Sequence, residues 1–165
     1  MKTKTQKIIL SGLLASLCCV ATMIIKIPSP LKGYMNLGDA VVLLCGWILP
    51  VPYSFLAAGI GSGLADVFSG YVIYAPATFI IKGLMALSAN LLFKFLKNKL
   101  SNIFSRIITA VVAELIMIFG YYIFEGFMYG FIPSLVNMPA NIVQAVAGII
   151  VGMMLIKVFE KEVKL

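Results

Sequence analysis

Five ionisable side chains stand inside strongly apolar stretches of this chain: Asp39, Asp66, Lys82, Glu114 and Glu125. A charge at bilayer depth costs at least about 2.5–3.5 kcal/mol, so each needs a partner or a purpose. Plainer purposes exist for all five. Lys82 follows Pro76 closely and can lift its amine to an interface. Asp39 can cap a helix, Asp66 and Glu125 can be interfacial carboxylates, and Glu114 can pair with a neighbouring helix. Spacing argues for more. Glu114, Ile118, Tyr121 and Glu125 fall at i, i+4, i+7 and i+11, one face of a helix, and Asn137, Asn141, Gln144 and Gly148 repeat that spacing. Gluing helices together usually takes one or two polar groups. Two full stripes point instead to a cavity that holds a small polar solute. The amides of Asn137, Asn141 and Gln144 both donate and accept, and the rings of Tyr74, Tyr121, Tyr122 and Tyr129 suit stacking on a flat heterocycle.

Other chemistries find little support. Histidine is absent, which removes the commonest general base and metal ligand. Ser62 therefore has no histidine partner for nucleophilic catalysis. The run Gly59-Ile60-Gly61-Ser62-Gly63 lacks the spacing of a nucleotide loop, because Leu64 takes the last position. Cys18, Cys19 and Cys45 all lie in apolar runs, and no structural disulfide is expected. The expectation is a protein that is not an enzyme and carries no cofactor or metal.

The elements that must position these groups are membrane helices. The 165 residues are 62% hydrophobic, with a mean hydropathy of +1.07, against about 45–50% apolar for a soluble domain. A chain this short cannot hide that surface in one aqueous core. Residues 1–165 are expected to form one membrane domain, all-α, with six transmembrane helices near 8–25, 37–49, 53–69, 77–95, 103–124 and 138–159. Proline and glycine mark the breaks. The first segment is long for a signal h-region and no Ala-x-Ala follows its end, so a retained helix is expected. The second is short for a full span. Charge argues that it crosses. Lys2, Lys4 and Lys7, then Lys94, Lys97, Lys99 and Arg106, then Lys157, Lys161 and Lys164 fall on one side only if it does, leaving Lys26 and Lys32 opposite. The positive-inside rule then puts both termini in the cytoplasm of a multi-pass protein, in keeping with a bacterial cell membrane. Topology thereby accounts for the net charge of +7 without a nucleic-acid partner.

Small residues form two further stripes. Gly59 and Gly63 suit close helix packing inside the protein, whereas Ser11, Gly12, Ala15 and Ser16 on the first helix suit either packing or a partner. Taken in order, Asn36-Leu37-Gly38-Asp39-Ala40, Gly63-Leu64-Ala65-Asp66, Ser69-Gly70-Tyr71, Tyr74-Ala75-Pro76-Ala77-Thr78, Ile81-Lys82-Gly83, Glu114, Gly120-Tyr121-Tyr122 and Pro139-Ala140-Asn141-Ile142-Val143-Gln144 resemble the substrate-binding (S) components of energy-coupling factor (ECF) vitamin transporters. The resemblance covers nearly the whole chain and is nearest the riboflavin-type group, which includes hydroxymethylpyrimidine- and pyridoxine-related members. It implies capture of a scarce vitamin in the outer half of the membrane, under the loop of residues 26–36. It also implies a complex with a transmembrane coupling protein and two cytosolic ATPases. The small residues of the first helix, Ser11, Gly12, Ala15 and Ser16, would dock on the coupling protein, as an imperfect version of the family's Ala-x-x-x-Ala. The expected substrate-binding set is Tyr74, Lys82, Glu114, Tyr121, Asn137, Asn141 and Gln144. The expected ligand is a pyridoxine- or hydroxymethylpyrimidine-like heterocycle, with riboflavin next. Rival readings are a small membrane enzyme acting on lipid or isoprenoid, which would need acids or histidines facing the cytosol, and a scaffold, which would not need the two stripes.

Overall fold

The computed structural model describes residues 3–29, 31 and 33–163. The orientation expected from charge rests partly on Lys2, Lys32 and Lys164, which lie outside the described residues. Helix α1 (Lys4–Ile24) opens on a capping box, Thr3 accepting from the Gln6 N–H while the Gln6 side chain accepts from the Thr3 N–H. Two short strands, β1 (Ile27–Pro28) and β2 (Tyr34–Met35), pair antiparallel in the following loop. The helices α2 (Gly38–Ile48), α3 (Val51–Phe68), α4 (Ala75–Leu96) and α5 (Asn102–Tyr129) follow, then a short α6 (Phe131–Ser134), a 3-10 turn at Leu135–Asn137, and α7 (Met138–Val163).

The breaks have local causes. Pro52 and Pro76 sit in the first turns of α3 and α4, where a missing N–H costs nothing. Gly130, at φ 94°, ends α5 in a conformation that side chains with a Cβ resist. The structure carries α5 five residues beyond the expected end at Phe124. The two-residue strands are backbone pairing inside a loop and leave the all-α class as expected.

Among the described residues, five helical stretches are long and apolar enough to cross a membrane: Lys4–Ile24, Val51–Phe68, Ala75–Leu96, Asn102–Tyr129 and Phe131–Lys161. Their outer faces are apolar, with Ile9, Ile24, Phe95, Phe104 and Met154 among the exposed side chains. The protein is thus an all-α, polytopic membrane protein. The short α2 is different. Its 11 residues extend only ~16 Å, and every one except Ile48 is buried. The surrounding helices α1, α3, α4 and α7 pack against it. It is a pillar within protein, which is why its length need not match the hydrocarbon thickness.

The bundle has two distinct ends. At one, the ends of α2, α4 and α7 meet the starts of α1, α3 and α5, tied by a bidentate Arg106–Glu160 pair. Lys4, Lys7, Lys94, Lys97 and Lys161 cluster there by sequence position. At the other, the β1–β2 loop meets the α3–α4 turn and the α6 region, through Lys26 Nζ to Ser69 Oγ at 3.0 Å and Leu31 N–H to Asn137 Oδ1 at 3.1 Å.

Candidate functional site

The polar residues converge at the loop end. A cavity of about 30 Å³ lies there. The β1–β2 loop roofs it with Ser29, Gly33, Tyr34 and Asn36. Below them, α3 contributes Asp66, α4 Thr78, α5 Tyr121 and Glu125, and α7 Asn141 and Gln144. Tyr71 and Tyr74 form one side, continuous with Tyr34 as a chain of rings with centroids 4.8 Å and 6.3 Å apart. The same two tyrosines border a hollow of about 550 Å³ on the outside of the bundle, next to Met128 and Tyr129.

Hydrogen bonds fix the walls. Tyr34 donates to Asp66 Oδ1 at 2.6 Å, and Thr78 and Tyr121 share a hydroxyl–hydroxyl bond of 3.0 Å. Burial and the adjacent Asp66 carboxylate push the Tyr34 phenol well up from its ordinary value, which keeps it a donor. Glu125 Oε1 accepts from Tyr74 at 3.4 Å and from Asn137 Nδ2 at 2.8 Å. The second oxygens of these two carboxylates, Asp66 Oδ2 and Glu125 Oε2, are buried without a hydrogen-bond partner. The cavity is therefore rich in acceptors that a solute's O–H or N–H groups would satisfy.

A second layer lies beneath. Gln144 accepts the Asn36 N–H at 2.9 Å and donates to Asp39 Oδ2 at 2.6 Å. Lys82 pairs with Asp39 Oδ1, and both are buried. Glu114 is 2% exposed and neither carboxylate oxygen has a hydrogen-bond partner. Gly148 makes room for it, since a Cβ there would lie 2.9 Å from Glu114 Oε1 and 2.9 Å from Asp39 Cβ.

Of the expected substrate-binding residues, Tyr74, Tyr121, Asn141 and Gln144 line the cavity. Asn137 stands beside it, bonded to Leu31 and Glu125. Lys82 and Glu114 belong to the buried layer below. Lys82 does not snorkel; Asp39 holds it. Asp39 does not cap α2 either, because Asn36 Oδ1 accepts the Gly38 N–H at 2.9 Å. Asp66 and Glu125 are wall residues rather than solvated interfacial carboxylates, at 5% and 3% exposure. Tyr122 packs on Phe131 instead of the cavity. Thr78 was findable, four residues after Tyr74 on one helix face. The loop of residues 26–36, with Asn36 at its end, was expected as the roof from the resemblance, whereas Tyr34 was not singled out, since a loop carries no periodicity. On α1, Gly12 and Ser16 are exposed, and a Cβ at Gly12 would meet nothing within 4 Å. Ala15 is half-buried against Gly61 of α3.

The fold is thus a bundle of apolar helices enclosing a polar, aromatic-walled cavity near one end. Comparison with known proteins gives the class. Residues 2–161 match the family model described as ECF-type riboflavin transporter, S component, and the chain belongs to that family. S components are substrate-binding subunits of vitamin transporters rather than enzymes, and they work with a coupling (T) component and ATPases. A Pyrococcus woesei protein, described as an uncharacterized protein in the gap 3' region, is 32% identical over 134 residues, covering 81% of this chain and 87% of its own length. A solved structure, described as the S component of a bacterial ECF transporter, superposes with a TM-score of 0.78 at 23% identity over 99% of this chain and all of that one. That likeness bears on the fold.

Proposed function

We propose that this chain captures a small, hydroxyl-bearing heterocyclic vitamin or precursor in the cavity beneath the β1–β2 loop, for an importer powered by ATPases on other chains. The observation that carries this reading is the pair of unpartnered carboxylate oxygens, Asp66 Oδ2 and Glu125 Oε2, in an aromatic-walled cavity. Tyr74 and Tyr121 offer ring faces, Asn141 and Gln144 offer amides, and the acids accept from hydroxyls. Asn137 and the Lys82–Asp39 pair hold these groups in place from beside and below. A pyridoxine- or hydroxymethylpyrimidine-like ring suits such a site. Riboflavin is the second reading, favoured by the family's description.

A cavity of about 30 Å³ holds a water, whereas pockets for small ligands run to roughly 300–1,000 Å³. Binding therefore requires the loop to lift, parting the bonds from Tyr34 to Asp66 and from Asn36 to Gln144. In the membrane we propose six crossings with both termini cytoplasmic, the cavity opening outward in a bacterial cell membrane. The exposed Gly12 and Ser16 of α1 offer a face to the coupling protein, with Ser11 and Ala15 on its inner flank.

Thermal-shift measurements with pyridoxine, hydroxymethylpyrimidine and riboflavin test the reading. The expected result is a rise in Tm with one of the two smaller compounds, lost in Asp66→Asn and Glu125→Gln. A rise with riboflavin alone assigns the second reading. No response to any of the three, with the protein folded, overturns capture of this ligand class.

A further inference from the structure

The opposite, basic end of the bundle carries a built site of its own. Two adjoining cavities, of about 320 and 260 Å³, share Trp47, Ile48, Phe93 and Lys97 as a common wall. Lys7 and Lys94 border the first, and Arg106 and Glu160 the second. Among the described residues, their walls thus hold four cations against one carboxylate. Two buried polar atoms in these walls lack a partner. Asn90, 3% exposed, donates to the Gly46 and Leu49 carbonyls at 2.7 and 2.6 Å, which leaves its Oδ1 acceptor unpaired. The Arg106 side chain, 9% exposed, bonds Glu160 through its two terminal nitrogens and leaves the Nε–H donor unpaired. Trp47 and Phe93 flank that guanidinium, with ring centroids 6.0 and 5.1 Å away.

We infer that this double cavity binds the headgroup of an anionic phospholipid that bears free hydroxyls. Lys7, Lys94 and Lys97 suit a phosphate, and the orphaned Asn90 Oδ1 suits a headgroup hydroxyl, an acceptor that phosphate alone leaves unsatisfied. The location favours lipid over a free anion. The cavity lies where apolar helices end, and Leu91, Phe95, Ile103 and Phe104, on the turns of α4 and α5 beside it, present exposed apolar side chains suited to acyl chains. A tryptophan and lysines at such a depth are the usual furniture of a headgroup layer.

The test uses the purified full chain in detergent. Phosphatidylglycerol, phosphatidylcholine and inorganic phosphate are each titrated against Tm and, by native mass spectrometry, against retained lipid. Phosphatidylglycerol is expected to raise Tm and be retained, with phosphatidylcholine and phosphate ineffective. Lys94→Gln with Lys97→Gln should weaken phosphatidylglycerol binding, by roughly fivefold per lysine removed. Asn90→Asp puts a negative charge in the cavity wall and should also weaken it; Lys26→Gln, at the opposite end of the bundle beside Ser69, should not. Equal effects of phosphatidylcholine, or of phosphate, overturn the proposal in favour of general solvation or a free-anion site. Unchanged phosphatidylglycerol binding in the double variant, with the protein folded, also overturns it.

Discussion

At the scale of single residues, the cavity and the layer beneath it make different demands. Asn141 lines the cavity, where on the proposed function a captured solute meets it. Asn141→Ala is expected to weaken binding a few-fold to about tenfold, the worth of one neutral hydrogen bond, with the unliganded Tm unchanged; isothermal titration and melting check the two halves. Gln144 joins the Asn36 backbone to Asp39. Gln144→Ala therefore strands a donor above and an acceptor below, and should lower both affinity and Tm. Lys82→Met leaves the Asp39 carboxylate buried without its cation. Breaking such a pair costs roughly 3–5 kcal/mol, and Asp39→Asn added to it should recover part of the loss in denaturant unfolding. Glu114→Gln removes an acid without hydrogen-bond partners and should melt no earlier than the parent. The stripes that carry these residues were legible because helical spacing is written in the sequence. The partners were not: Lys82 has two acids within its layer, and which one it meets depends on how α2 enters between α4 and α7.

At the scale of elements, α1 shows where pattern stops short of structure. Ser11, Gly12, Ala15 and Ser16 read as one small-residue surface, yet the helix turns part of it inward. The Ala15 carbonyl and Cys18 Cβ fill the space beside Gly61, while Gly12 has open space. Gly12→Leu is thus expected to block transport in reconstituted vesicles while solute affinity stays unchanged. Ala15→Leu should in addition lower Tm by pressing on α3. Equal effects of both on Tm would place the whole stripe in the interior. Segment boundaries followed the same logic: proline breaks were legible to within a few residues, whereas α5 outran its expected end because the chain stays helical as far as Gly130, burying Glu125 and Gly126 on the way.

At the scale of the whole molecule, a charged end and the end that holds the cavity face opposite ways. Cysteine labelling on sealed membranes should reach a probe at Lys97 only from the cytoplasm and one at Ser69 only from outside. Reaction at Lys97 from the external side would overturn the six-crossing arrangement. That arrangement has a consequence for biosynthesis, drawn from the buried pillar α2. A segment of 11 residues, with Asp39 in its first turn, is too short and too polar at one end to be accepted by the bilayer as an independent span. During synthesis it must wait for α3, only Leu49 and Pro50 away, and enter as a hairpin. The final sheath then closes when α4 brings Lys82 to Asp39 and α7 brings Gln144. Glycosylation reporters fused after α2 should therefore register poor insertion, and the same reporters fused after α4 should register a settled topology. On this account Lys82 of α4, which holds up the floor of the cavity through Asp39, also settles the orientation of α2.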